Sequence, residues 1–121
     1  MKDIKLSELE NVKFKNIIAL AVFGSFETEY FRADQSDIDI LVLLEHREDV
    51  IEEFDIEDYL VPLLEKHFEY NNIHLTFLTM KEYDTVFARQ YLDSKDKLIL
   101  NEFKELDFRL YVNKYLRNSQ K

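Results

Sequence analysis

A single glycine, Gly24, and a single proline, Pro62, punctuate all 121 residues. So few turn-forming residues leave little room for a chain of tight hairpins, and they bias the fold toward helices joined to a few long-range strands. They also make the position of the one glycine informative. Gly24 ends the apolar run Ile17-Ile18-Ala19-Leu20-Ala21-Val22-Phe23. That run is too short for an ordinary buried helix and reads as a strand covered on both faces.

Other elements follow from periodicity. Ser7-Glu8-Leu9-Glu10 has the form of a capping box and predicts a short helix near 7–15. The segment 26–33 is expected to make one or two helical turns. Asp37-Ile38-Asp39-Ile40-Leu41-Val42-Leu43-Leu44 predicts a second strand, acidic at its start and apolar afterwards. Ile56, Leu60, Leu63, Leu64 and His67 share one face of a helix from about 49 to 69. Pro62 inside it predicts a kink or a break, since proline removes an amide donor. Asn71-Asn72 is expected to end that helix.

A third strand is expected from Ile73 to Thr79, with Ile73, Leu75 and Phe77 on one side and His74, Thr76 and Leu78 on the other. A helix from Met80 to about Tyr91, a polar turn at 93–96 and a short strand at 98–100 come next. The last helix, 101–117, carries two apolar stripes, one through Phe103, Leu106, Leu110 and Lys114 and one through Phe108, Tyr111, Val112 and Tyr115. Two stripes exceed what a small monomer buries, so this helix is expected to meet a partner or a second copy. The whole chain, 1–121, reads as one α/β (α+β) domain with a small mixed β-sheet flanked by helices.

Charge narrows the function. Sixteen Lys and Arg against 25 Asp and Glu give a net charge of −9. Such a chain should not coat nucleic acid non-specifically, because phosphate neutralisation needs clustered bases. From Glu45 to Glu69 ten acids face only Arg47 and Lys66, whereas from Lys104 to Lys121 five bases face only Glu105 and Asp107. The acidic stretch reads as a solvated helix face, and the basic tail as a surface able to meet an acidic partner. No apolar run approaches the roughly 20 residues of a membrane span, and the N-terminus lacks the apolar core of a secretion signal. There is no cysteine, hence no disulfide framework, thiolate metal site or cysteine nucleophile. These features are compatible with a cytoplasmic location.

The chemistry resides in Gly24-Ser25, then eleven residues, then Asp37-Ile38-Asp39. A strand that ends at glycine and serine, with a helix starting there, presents free amides and a helix dipole to phosphate. Glycine allows close approach to the backbone, and the serine hydroxyl adds a donor. Asp37 and Asp39, two apart on a strand, point to one side. Two such carboxylates repel unless a cation lies between them, and Mg²⁺ completed by water and substrate phosphates is the natural one. This is the minimal equipment for in-line attack on a nucleotide α-phosphate.

These residues resemble the signature of the DNA polymerase β-type nucleotidyltransferase superfamily. The length is similar to its smallest branch, the minimal nucleotidyltransferase (MNT) domain. The ending, Leu98-Ile99-Leu100-Asn101 through Phe108 to Tyr115-Leu116, resembles the tail of MntA-type antitoxins, which pair with a helical HEPN ribonuclease toxin. The resemblance implies that Gly24 and Ser25 hold a nucleoside triphosphate, that Asp37 and Asp39 bind Mg²⁺, and that AMP passes from ATP to a hydroxyl, in the antitoxin branch a tyrosine of the partner. Relatives usually carry a third carboxylate on the next strand, where this chain has His74. His74 is then a general base for the acceptor, the sign of a site that binds nucleotide yet turns over poorly, or a strand histidine packed under a helix. Relatives also carry a small residue, an arginine and a glycine after the Gly-Ser pair, where this chain has Phe26-Glu27-Thr28-Glu29. Arg32 could offset those acids by folding over the phosphates. Two other readings are a non-catalytic module that neutralises its partner by occlusion and a small-molecule nucleotidyltransferase of the antibiotic-modifying kind, which is expected to need a separate substrate domain and a longer chain.

Overall fold

The computed structural model describes residues 4–24, 31–32, 35–47 and 49–119. The elements are β1 (Ile17–Phe23), β2 (Ile38–Leu44), α1 (Val50–Phe68), β3 (Ile73–Thr79), α2 (Val86–Asp93), β4 (Lys97–Ile99) and α3 (Glu102–Ser119), with 3₁₀ turns at Leu6–Glu8 and Met80–Glu82. The strands form one mixed sheet in the order β3-β2-β1-β4. β1 runs antiparallel to β2 and to β4, while β2 and β3 are parallel. Parallel neighbours need a crossover, and α1 supplies it. The mixed α/β architecture expected from the sequence is the one observed.

Helices cover both faces of the sheet, which is why β1 and most of β2 read as continuous apolar runs. On one face Leu20, Val22, Ile40, Val42 and Leu75 pack with Ile56, Leu60, Leu64 and Phe68 of α1. On the other Ile18, Ala21, Leu41, Leu43 and Leu78 pack with Ala88 and Tyr91 of α2 and Phe108 and Val112 of α3.

Several local expectations are corrected. The N-terminal helix near 7–15 is only the turn Leu6–Glu8. Its amides at Leu6 and Ser7 are taken by the Asp96 carboxylate at 2.6 and 3.0 Å, a tertiary cap that stands in for a longer helix. α1 is not broken at Pro62. Ile56, Leu60, Leu64 and Phe68, all fully buried, lie on both sides of the proline and hold the helix to the sheet. Pro62 sits on the exposed side, where water can reach the Asp58 carbonyl that loses its donor. The stripe includes Phe68 rather than His67, whose Nε2 lies 2.7 Å from the Lys5 carbonyl oxygen. α1 ends before Asn71-Asn72, at Glu69, which adopts the left-handed conformation with φ 53°. The helix expected from Met80 to Tyr91 is divided into the turn Met80–Glu82 and α2. Thr85 caps α2 by accepting from the Ala88 amide, and its own hydroxyl bonds the Glu82 carbonyl. The segment 26–33 lies largely outside the described residues.

Candidate active site

Strand parity and register assemble the site at one end of the sheet. In β2, Ile38 and Ile40 face α1, so Asp39 between them shares the opposite face with Leu41 and Leu43. The register pairs Asp39 with Phe23 of β1, the residue before Gly24, and with His74 at the start of β3. Asp39 is thus flanked by the glycine turn on one side and the histidine on the other. His74 Nδ1 stands 3.4 Å from Asp39 Oδ1. Its ring is 61% exposed, so it is not packed under a helix, which removes the packing alternative.

Gly24 has φ +73°, a left-handed conformation that glycine adopts without strain. A Cβ on it would come 2.7 Å from Asp39 Oδ2. The missing side chain therefore makes room first for the Asp39 carboxylate. This adds to the expectation from sequence, which assigned that space to a phosphate.

The end of β1 is anchored beneath this contact. Ser94 Oγ donates to the Val22 carbonyl at 2.5 Å, and the Val22 amide donates to the Asp96 carbonyl at 3.0 Å. The approach to Asp37 is also anchored. Tyr70 Oη donates to the Ser36 carbonyl at 2.5 Å, and its ring packs on Phe31 at 5.6 Å between centroids. The Ile38 amide bonds the Asn72 carbonyl at 2.8 Å, which seals the start of β2 against β3. Sequence reasoning missed Tyr70, Phe31, Ser94 and Asp96 as positioning residues. The available signal was weak: aromatic residues bracketing the Asp-x-Asp strand, and a serine and an aspartate in a polar turn.

Burial lifts the Asp39 carboxyl above its ordinary value; His74 opposes the rise by its charge and hydrogen bonding, and the charge of Asp37 adds to it. Asp37 is exposed just ahead of β2 and lies within electrostatic reach of Asp39. Arg32 is exposed; its amide bonds Ser36 Oγ at 3.1 Å, and its guanidinium pairs with no acid among the described residues. Ser25 lies outside the described residues. The structure thus brings Gly24, Asp39 and His74 together, with Asp37 within electrostatic reach of Asp39 and Arg32 tied to none of them.

No group of three or more His, Cys, Asp and Glu stands in ion-holding geometry among the described residues. Asp37 and Asp39 nevertheless offer the oxygen donors that a hard divalent ion takes, and Mg²⁺ habitually takes its remaining ligands from water and substrate phosphates. His74 offers nitrogen, which suits Mg²⁺ poorly, and it is better suited to handling a proton. Among the described residues no helix is long and apolar enough to cross a membrane.

Comparison with known proteins identifies the family. No curated protein and no solved structure matches the chain. A family model described as a nucleotidyltransferase domain matches residues 7–120, which spans every strand and helix of the sheet and both carboxylates. On that match over nearly its whole length, the chain belongs to the nucleotidyltransferase domain family.

Proposed function

We propose that the protein is a Mg²⁺-dependent adenylyltransferase that moves AMP from ATP to a hydroxyl of a partner protein, as the antitoxin of a HEPN/MNT-type pair. Nucleotidyl transfer is the chemistry of the family; the metal, the nucleotide and the acceptor are the proposal. The observation that supports it is the seating of Asp39 against the Cβ-less face of Gly24, with His74 beside it and Asp37 within electrostatic reach. A carboxylate pair at a glycine turn meets the two demands of the reaction, a cation site and access for a triphosphate.

Asp37 and Asp39 would hold Mg²⁺, which when bound neutralises charge on the triphosphate and the leaving pyrophosphate. The acceptor oxygen forms a bond to the α-phosphorus as the bond from that phosphorus to the β-phosphate oxygen breaks. With a proton on Nδ1 directed at Asp39, His74 keeps Nε2 as a free acceptor at the exposed edge of the ring, and Nε2 takes the hydroxyl proton. Gly24 and Ser25 would cradle the phosphates, with Arg32 closing over them.

The test uses ATP labelled at the α-phosphate, Mg²⁺ and the helical protein encoded beside this chain. Label should pass to that protein and fall by about 100-fold or more with Asp37→Asn or Asp39→Asn. Equal labelling by the native chain and both variants would exclude the reading. The outward apolar stripe of α3, with Phe103 86% and Leu110 56% exposed, favours a second reading in which the chain neutralises its partner by covering it. Protection retained by Asp37→Asn/Asp39→Asn and lost when Phe103 and Leu110 are made polar would favour occlusion.

A further inference from the structure

β3 is an edge of the sheet, and its outer side is closed over one half and open over the other. The Ile38 amide of β2 donates to the Asn72 carbonyl at 2.8 Å. Backbone groups alternate sides along a strand, so His74, Thr76 and Leu78 turn theirs to β2, while Ile73, Leu75, Phe77 and Thr79 turn theirs outward. In the half remote from Asp39 the outward groups are taken. The Phe77 carbonyl accepts from Arg47 Nη2 at 3.0 Å, and the Thr79 amide donates to Glu82 Oε1 at 3.0 Å. Arg47 is held in turn by Glu53 at 2.7 Å. Side chains that cover an edge in this way keep other strands off it. In the half beside Asp39, the outward amides and carbonyls of Ile73 and Leu75 have no partner among the described residues.

We infer that the open half of this edge takes an extended peptide segment as a fifth strand. Its orientation is antiparallel, the more stable pairing per residue. Ile73 and Leu75 then each exchange two backbone hydrogen bonds with the added strand. His74, between them, stands opposite one residue in a non-hydrogen-bonded pair, with Cα atoms about 4.5 Å apart. The side chain of that residue lies on the face shared by His74 and Asp39, beside a histidine ring that is 61% exposed. Its two neighbours fall on the opposite face, level with Ile73 and Leu75, which belong to the apolar layer against α1. Main-chain bonds thus supply affinity, and alternate side chains supply selectivity. The edge selects an apolar residue, a central residue delivered to His74, and a second apolar residue. On the transfer reading, on which this last assignment rests, the central residue carries the accepting hydroxyl. The strand addition itself does not depend on that reading.

The probe is a fluorescein-labelled, amidated peptide, Lys-Val-Tyr-Val-Lys, whose lysines suit a chain of net charge −9. Fluorescence anisotropy with the full chain, without nucleotide or metal, should show saturable binding with a Kd of about 1 mM or tighter. In the expected register both valine amides face β3 and the tyrosine amide faces away. N-methylation of both valines should weaken binding by about 10-fold or more, and N-methylation of the tyrosine should leave it within about twofold. All three peptides carry the same charge. Ile73→Pro removes an outward amide at the first position of β3, where an edge strand accommodates proline. It should keep the native circular dichroism spectrum and weaken the unmethylated peptide by about fivefold or more. Absence of saturable binding, equal loss on methylation at either position, or full binding by folded Ile73→Pro would each overturn the proposal, the last by placing the peptide on another edge. The unmethylated peptide is then incubated with the chain, Mg²⁺ and ATP labelled at the α-phosphate. Binding with the expected methylation pattern but no label on the tyrosine would support the strand addition and count against the transfer.

Discussion

Asp39 Oδ2 lies 2.7 Å from the point where a Cβ would stand on Gly24. The only glycine of the chain and the more buried of the two candidate carboxylates therefore share one space, so a side chain at position 24 would have to displace the Asp39 carboxylate. The Asp39 end of the sheet is built around that contact.

Gly24→Ala should lose about 1–3 kcal/mol of stability, from the left-handed backbone and from the methyl group pressed on Asp39. In the double variant Gly24→Ala/Asp39→Ala the collision disappears and the backbone strain remains. Chemical denaturation of the two single variants and the double should show this non-additivity. Full additivity would mean that the two residues do not share the space.

Asp39→Asn should stabilise the metal-free protein at neutral pH. The folded carboxyl lies above its ordinary value of 3.8, chiefly through burial. Between that value and the folded one, the native state keeps a proton that the unfolded chain has released. Stability therefore falls as pH rises through this window and stays lower above it. The melting temperature of Asp39→Asn should lack that decline. Mg²⁺ with ATP should raise the melting temperature of the native chain and leave that of Asp39→Asn unmoved.

Pro62→Ala should stabilise the fold by about 1–3 kcal/mol, since it restores an amide donor to the Asp58 carbonyl in the middle of α1. Pro62 is exposed, so nothing is lost from the core. Urea unfolding should show a higher midpoint with an unchanged slope.

Tyr91→Phe should cost about 1–3 kcal/mol, the penalty of leaving a buried carboxylate oxygen without its donor. Tyr91 Oη donates to Glu105 Oε2 at 2.7 Å, while Arg109 Nε holds Oε1 at 2.8 Å. Burial, with Glu105 beside it, keeps the Tyr91 phenol protonated far beyond its ordinary range, so it serves as a permanent donor. Replacing Glu105 with methionine in the same background should recover part of the loss, because it removes the stranded acceptor. Thermal unfolding of the three proteins measures both effects.

Much of this molecule was legible in local sequence. The apolar runs 17–23 and 73–79 became strands with those bounds, and β2 starts at Ile38, one residue inside its expectation. Such elements are decided by which side chains alternate or run together, and a chain meets that condition before it folds. The Asp-x-Asp spacing and the isolated glycine were visible for the same reason. The turn at Leu6–Glu8 and the intact helix through Pro62 were not, because each depends on a partner far along the chain, Asp96 and the sheet beneath α1; the division at 83–85 rests on local caps at Glu82 and Thr85 that the helical periodicity masked.

The sequence alone determined which residues alternate, where the chain can turn left-handed and which carboxylates come in a pair. Only the tertiary structure decided that β3 lies parallel to β2 with His74 level with Asp39, and that Asp39 fills the space over Gly24. Register between strands is set by the packing of whole faces against α1, α2 and α3. No local pattern encodes which residue of one strand will stand beside which residue of another.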